Sequence, residues 1–313
     1  MPDVKTGFVA VENDVKLYYE DTGEGAPIVF VHEFGGDYRS WEHQARYLSR
    51  RFRVITFNAR GFPPSDCPKE ASYYGFDICV EDIGKVLDHL KIEKAHLVGY
   101  SMGSFTALFF ALRHPDRARS ISVVGCGYGA EGEWGQIHRD NVTNMAADYE
   151  KNGMDSLAAT RYTIGATRVQ QVNKDPRGWI EFDRQFREHD PTGSAHSLRE
   201  VIAPRPSMID HEDDLKNMSV PMMVLTGDED WQCLSPGVFM KKTSPTCSLC
   251  VIPNSGHGIN LEEPALFNQT LNDFYTDIEL GRWAPRDPRA FAAQNLQANE
   301  EDLGHVPKFT RAE

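Results

Sequence analysis

Gly99-Tyr100-Ser101-Met102-Gly103 decides how this chain is read. The apolar run Ala95–Gly99 has strand composition, and Ser101–Arg113, rich in Phe, Ala and Leu, has that of a helix. A G-x-S-x-G pentapeptide between a strand and a helix is a nucleophile elbow. The sharp turn strains the backbone at Ser101, lifts its Oγ out of the sheet and admits only small residues two before and two after. The helix that opens at the serine aims its first N–H groups at any developing anion. Alone the pattern is weak; framed by a strand and a helix it points to a nucleophilic serine.

A serine nucleophile needs a base, and the base an orienting carboxylate. Downstream, Pro221–Gly227 reads as a strand running into Asp228-Glu229-Asp230. Cys250-Val-Ile-Pro-Asn-Ser-Gly256-His257-Gly258 reads as a strand running into a histidine flanked by glycines. Both loops leave the C-terminal ends of strands, where ligand sites of open α/β sheets gather.

The remaining chain supplies the frame. Phe8–Val11 and Val15–Tyr19 form a hairpin pattern; Pro27–His32 and Val54–Phe57 are apolar runs typical of strands buried on both faces. Helical periodicity marks Arg39–Arg51 and Ile78–Leu90, and Ser120–Gly125 closes the alternation. This rhythm predicts a parallel sheet with helices on both faces. It breaks over residues 128–217, where helix formers and the aromatics Trp134, Trp179, Phe182 and Phe186 occur without a strand, and resumes at Pro221–Thr226, Cys247–Ile252 and Glu262–Thr276. The expected layout is a core of residues 1–127 and 218–280, a helical cap of residues 128–217, and an extended tail of residues 281–313.

At these motifs the chain resembles the α/β-hydrolase fold superfamily. His32-Glu33-Phe34-Gly35-Gly36 is similar to its oxyanion loop, and Asn58-Ala-Arg60-Gly61-Phe-Pro-Pro-Ser65-Asp66 to the turn of its second strand pair, in addition to the elbow and the terminal Gly-His. The resemblance implies an α/β class with a mostly parallel eight-stranded sheet and an inserted helical cap. It implies Ser101 as nucleophile, His257 as base and Asp230 as acid, with Asp228 and Glu229 as competing carboxylates. The backbone N–H groups of Phe34 and Met102 would form the oxyanion hole, and Tyr100, Phe34, Trp134 and Trp179 would line the substrate pocket. Two positions depart from the family pattern: Glu33 stands where glycine is usual, and Asn58 where aspartate is usual. Since both fall in loops near Arg60, Glu33 is expected to pair with Arg60; the alternatives are another arginine such as Arg39, or a carboxylate facing the pocket.

Composition narrows the function further. The 313 residues carry 33 Lys+Arg against 46 Asp+Glu, a net charge of −13, which argues against nucleic acid or an anionic membrane as partner. No apolar run approaches the ~18 residues of a membrane-spanning helix, and the N-terminus lacks a signal-peptide pattern, so a cytoplasmic location is expected. Cys247-Ser-Leu-Cys250 lies in a strand-like run, which would put the two thiols on opposite faces, and no second ligand pair follows. His189-Asp190 and His211–Asp214 read as solvated charge runs. No metal and no cofactor is implied, the partner is a small-molecule substrate, and homo-oligomerisation is left open. The expected reaction is hydrolysis of a carboxylic ester or similar acyl bond in a small hydrophobic molecule. The alternatives are C–C or enol-lactone hydrolysis, cofactor-free perhydrolysis, and last a non-catalytic binding protein on the same fold.

Overall fold

The structure is a computed structural model describing residues 4–130, 132–287 and 290, with the backbone alone at Glu133. Eight strands form one sheet: β1 (Lys5–Ala10), β2 (Lys16–Thr22), β3 (Pro27–Val31), β4 (Arg53–Phe57), β5 (Ala95–Tyr100), β6 (Ala118–Val124), β7 (Met222–Gly227) and β8 (Cys247–Ile252). Their order is β1-β2-β4-β3-β5-β6-β7-β8. The β1–β2 and β2–β4 pairs are antiparallel, and every later pair is parallel.

The continuous apolar runs of β3 and β5 follow from burial on both sides. One face of the sheet holds Val29, Val31 and Leu97 against α2 (Phe76–His89) and α3 (Met102–Arg113). The other holds Ile28, Phe30, Val98 and Tyr100 beneath α1 (Glu42–Leu48) and a later helix, Pro264–Glu279. Alternate residues along each strand thus serve opposite layers.

Between β6 and β7 no strand occurs among the described residues. The chain passes instead through α4 (Gly132–Asn152), α5 (Leu157–Ile164), α6 (Val169–Lys174), α7 (Pro176–Arg187), α8 (Pro191–His196), a π-helical turn Ser197–Ile202 and α9 (Glu212–Lys216). Helix α7 starts on Asp175, whose side chain accepts the Gly178 amide at 2.9 Å, followed by Pro176 at the first helical position. After β7 comes α10 (Trp231–Thr243); after β8 come α11 (Ile259–Glu262) and α12 (Pro264–Glu279). Helix α10 was not expected: Pro236 within it and its weak amphipathicity hide it in the sequence. Of the expected tail, Trp283 packs on Phe274 of α12, and its indole N–H donates to Thr246 C=O at 3.4 Å. Most of the expected tail, from residue 288 on, lies outside the described residues apart from Ala290.

His96 is fully buried in β5 with Nδ1 2.8 Å from Ser120 Oγ. The strand's inner position overrides the polarity of the ring.

Candidate active site

Strand β5 ends at Tyr100 and α3 begins at Met102, so Ser101 alone makes the turn, at φ 50° and ψ −110°. That left-handed region is strained for a residue with a side chain. The reason for both flanking glycines is a distance. A Cβ at Gly99 would stand 2.3 Å from the Gly103 carbonyl oxygen, and one at Gly103 would stand 2.3 Å from that of Val31. The Ser101 amide donates to Val124 C=O at 2.8 Å, which ties the turn to β6.

His257 Nδ1 lies 2.7 Å from Asp230 Oδ2, and both residues are buried. A carboxylate can only accept, so Nδ1 carries the proton and Nε2 is left as the ring's acceptor. Burial alone would depress the His257 pKa, but the Asp230 charge and hydrogen bond outweigh it and hold it above the ordinary 6.5. Asp230 is opposed by burial yet held low by His257, with help from Cys233 and Tyr128. The competing carboxylates are engaged elsewhere: Asp228 accepts the Ser255 amide at 3.0 Å, and Glu229 accepts the Gln170 amide at 2.5 Å.

Glu262 is a site residue that sequence reasoning missed. Its two oxygens accept the Gly256 amide at 2.7 Å and the Gly258 amide at 3.0 Å, clamping the peptide on either side of His257. The only signal is a glutamate at a helix end five residues after the histidine.

Met102 is the first residue of α3, so helix geometry leaves its N–H without an intrahelical acceptor. Phe34 sits in a turn closed by the Gly36 amide on Glu33 C=O at 3.2 Å. His32 braces that turn. Its Nδ1 is 2.7 Å from Glu33 C=O while Nε2 accepts the Ala59 amide at 3.0 Å, so the ring is neutral with its proton on Nδ1. Burial drives its pKa down to about 4, consistent with a brace rather than a base.

The Glu33–Arg60 pairing does not occur. Arg60 makes a two-pronged pair with Asp82 of α2, at 2.9 and 2.7 Å, which needs no help from position 58 or 33. Asn58 serves the turn instead: its side-chain oxygen accepts the Tyr38 amide at 2.6 Å, and its nitrogen donates to Pro63 C=O at 2.8 Å. Glu33 pairs with Arg168, just before α6, and both side chains are essentially without solvent contact. Arg168 also lies face-on to Phe182 at 4.2 Å, and a Cβ on Gly258 would stand 3.1 Å from its Nη1. The unusual glutamate therefore joins the oxyanion loop, the helical insertion and the histidine loop.

Ser101 and His257 line one cavity of about 250 Å³, walled mainly by apolar side chains including Phe34, Tyr128, Trp134, Ile137, Met145 and Ile202. Two expected wall residues lie elsewhere. Tyr100 is fully buried beneath the site, its ring 5.6 Å from that of His257 and 5.9 Å from that of Trp41. Strand alternation accounts for this: Tyr100 shares a face with Val98, opposite the cavity side. Trp179 packs helix on helix, its indole donating to Thr163 C=O at 2.6 Å. Phe182 and Phe186 are likewise buried among the insertion's helices, Phe186 stacking 5.0 Å from Tyr162. His189, expected in a solvated run, is buried 3.5 Å from Asp37.

Asp230, Cys233 and His257 place ligand-type atoms within 4.8 Å of one another. Burial holds the Cys233 thiol protonated, and His257 Nδ1 is committed to Asp230, so this set is poorly suited to hold a cation. Cys247 and Cys250 are both free and both on β8. Among the described residues no helix is long and apolar enough to cross a membrane.

A family model described as alpha/beta hydrolase fold matches residues 26–264, and the chain belongs to that family. Among its relatives is 3-oxoadipate enol-lactonase 1 of Acinetobacter baylyi, 28% identical over 82% of this chain and 91% of that protein. Another is 2-hydroxy-6-oxononadienedioate/2-hydroxy-6-oxononatrienedioate hydrolase 2 of Pseudomonas putida, 25% identical over 84% of this chain and 92% of that protein. The fold is shared with a thermophilic esterase from Thermogutta terrifontis, at TM-score 0.76 and 24% identity over 88% of this chain and 99% of that one.

Proposed function

We propose that the protein hydrolyses a carboxylic ester or similar acyl bond of a small molecule through an acyl-enzyme on Ser101. The observation that carries this reading is the Asp230–His257 hydrogen bond of 2.7 Å opening on the same cavity as the strained Ser101. His257 Nε2 takes the serine proton as Oγ attacks the carbonyl, Asp230 stabilises the imidazolium, and the amides of Phe34 and Met102 receive the oxyanion. His257 then protonates the leaving group and activates the water that releases the acid. Residues 128–217 act as the cap that supplies most of the cavity wall, over a core of residues 1–127 and 218–280. The substrate is small, given a cavity of about 250 Å³. Enol-lactone or C–C hydrolysis is the second reading, favoured by the relatives above and served by the same three side chains.

Turnover of p-nitrophenyl esters of graded acyl length tests the reading. Release of nitrophenolate with a short-chain optimum supports it, and no turnover at any length contradicts it.

The pH profile carries a further expectation. Catalysis needs His257 neutral, and Asp230 raises its pKa, so kcat/KM should climb with pH through one ionisation centred above 6.5. Asp230→Asn removes the raising charge and should move that limb to lower pH. A limb unmoved by the substitution would separate Asp230 from His257.

A further inference from the structure

Arg205 is a cation without a carboxylate in the wall of the cavity that holds Ser101 and His257. Among the described residues the two buried arginines each face an acid: Arg60 has Asp82, and Arg168 has Glu33. Arg205, half-buried, has none among the described side chains. Its Nη2 donates to Tyr128 C=O at 2.6 Å and lies 3.4 Å from His138 Nε2. Burial, then the Arg205 and Arg139 charges, drive the His138 pKa down to about 3, so that ring is neutral and offers a lone pair rather than a charge. The guanidinium lies 3.8 Å from the centre of the Phe105 ring, which holds it flat. The donors on Nε and Nη1 meet no acceptor among the described residues.

The backbone presents this side chain rigidly. Arg205 stands between Pro204 and Pro206, which restrict its own conformation and that of the residue before it. Ser207, two residues on, donates to Ala130 C=O at 2.8 Å and fastens the segment to the loop after β6. A preorganised fork of donors, stacked on an aromatic face and left unpaired in an otherwise apolar cavity, suits a planar anion with two oxygens. Burial lowers the Arg205 pKa to about 10, the reverse of the rise at Arg60 and Arg168, yet leaves it charged at neutral pH.

We propose that Arg205 anchors a carboxylate of the substrate, so that the molecule cleaved at Ser101 carries an ionised carboxyl group in addition to its scissile acyl bond. This rests on the hydrolytic reading above. It revises the expectation of a wholly hydrophobic substrate, and it gives the apolar wall the task of holding the chain between two polar ends. A site built to bond a charged group also favours it over the analogue that lacks it, because the half-buried guanidinium then gains no partner for its free donors.

The test compares mono-p-nitrophenyl glutarate with its methyl ester, which has the same acyl chain and no charge. The wild-type protein should favour the carboxylate in kcat/KM by at least about 10-fold, mostly through KM. Arg205→Met should collapse that ratio toward one, and Arg205→Lys should restore part of it. A loss of packing alone would slow both esters alike and leave the ratio intact; that outcome, or a wild-type preference for the methyl ester, overturns the proposal. Glutarate binding to Ser101→Ala, followed by calorimetry, separates the two readings. If neither ester is cleaved but glutarate binds and Arg205→Met abolishes it, the hydrolytic reading fails and the anion site stands. If both esters are cleaved and glutarate binding ignores position 205, hydrolysis stands and the anion site fails.

Discussion

Ser101→Ala, His257→Ala and Asp230→Asn should each lower kcat for a p-nitrophenyl ester by at least about 10³-fold while the fold is retained. The three losses do not add. Once the serine is gone the imidazole has no proton to accept, so the triple substitution should cost about as much as the worst single one. Non-additivity is the diagnostic part, because three independent binding residues would multiply their effects. Retained folding is expected because the Ser101 hydroxyl faces the cavity, whereas the glycines at 99 and 103 carry the packing constraint of the elbow. Steady-state rates for the single and triple variants, with far-ultraviolet circular dichroism as the control, decide the matter. A serine variant retaining more than about a tenth of the activity would remove Ser101 from the chemistry.

Arg168→Met is the substitution expected to cost most in stability. It leaves the Glu33 carboxylate buried with no counter-charge, a change that typically costs about 3–5 kcal/mol. Glu33→Gln in the same chain neutralises the stranded charge and should recover most of the loss, since a buried ion pair is worth little against a neutral pair of similar shape. Urea midpoints of the two single variants and the double variant give the comparison. Activity should follow a different order. Arg168 touches the oxyanion loop through Glu33 and packs beside Gly258, so the double variant can be stable and still slow. Equal urea midpoints for Arg168→Met and the unsubstituted chain would show that the pair does not hold the insertion to the core.

The core was legible in the sequence because its constraints are local. Gly99 and Gly103 are demanded by contacts of 2.3 Å within the elbow and with the next strand, and such contacts force a residue type that a reader can see. Strands β3, β5 and β7 were legible because burial on both faces leaves them almost wholly apolar, His96 and Thr226 being the polar exceptions. The partner of Glu33 was not. Its arginine lies 135 positions further along, inside a helical segment whose placement no periodicity announces. Arg60 was expected for its nearness in an adjacent loop, but it is already matched to Asp82 on the helix beside it. Tyr100 and Trp179 failed as wall residues for a related reason. An aromatic beside an active serine, or at helical spacing in an insertion, is identified by which face it turns to, and only the packed structure supplies that. Asp230 could be preferred to Asp228 and Glu229 on position alone; its hydrogen bond to His257, with the other two turned to Ser255 and Gln170, is the geometric reason. Arg205 escaped notice altogether, because a cavity-wall cation without an acid looks in sequence like any other arginine.

The central claim is that Ser101 is the nucleophile, and covalent trapping tests it most directly. The protein is treated with a fluorophosphonate and followed by intact-mass and peptide-mapping mass spectrometry. The account predicts one adduct per chain, carried by the peptide containing Ser101, absent in Ser101→Ala and formed far more slowly in His257→Ala. An adduct on any other residue, or an unlabelled native protein under conditions that label a known serine esterase, would contradict it.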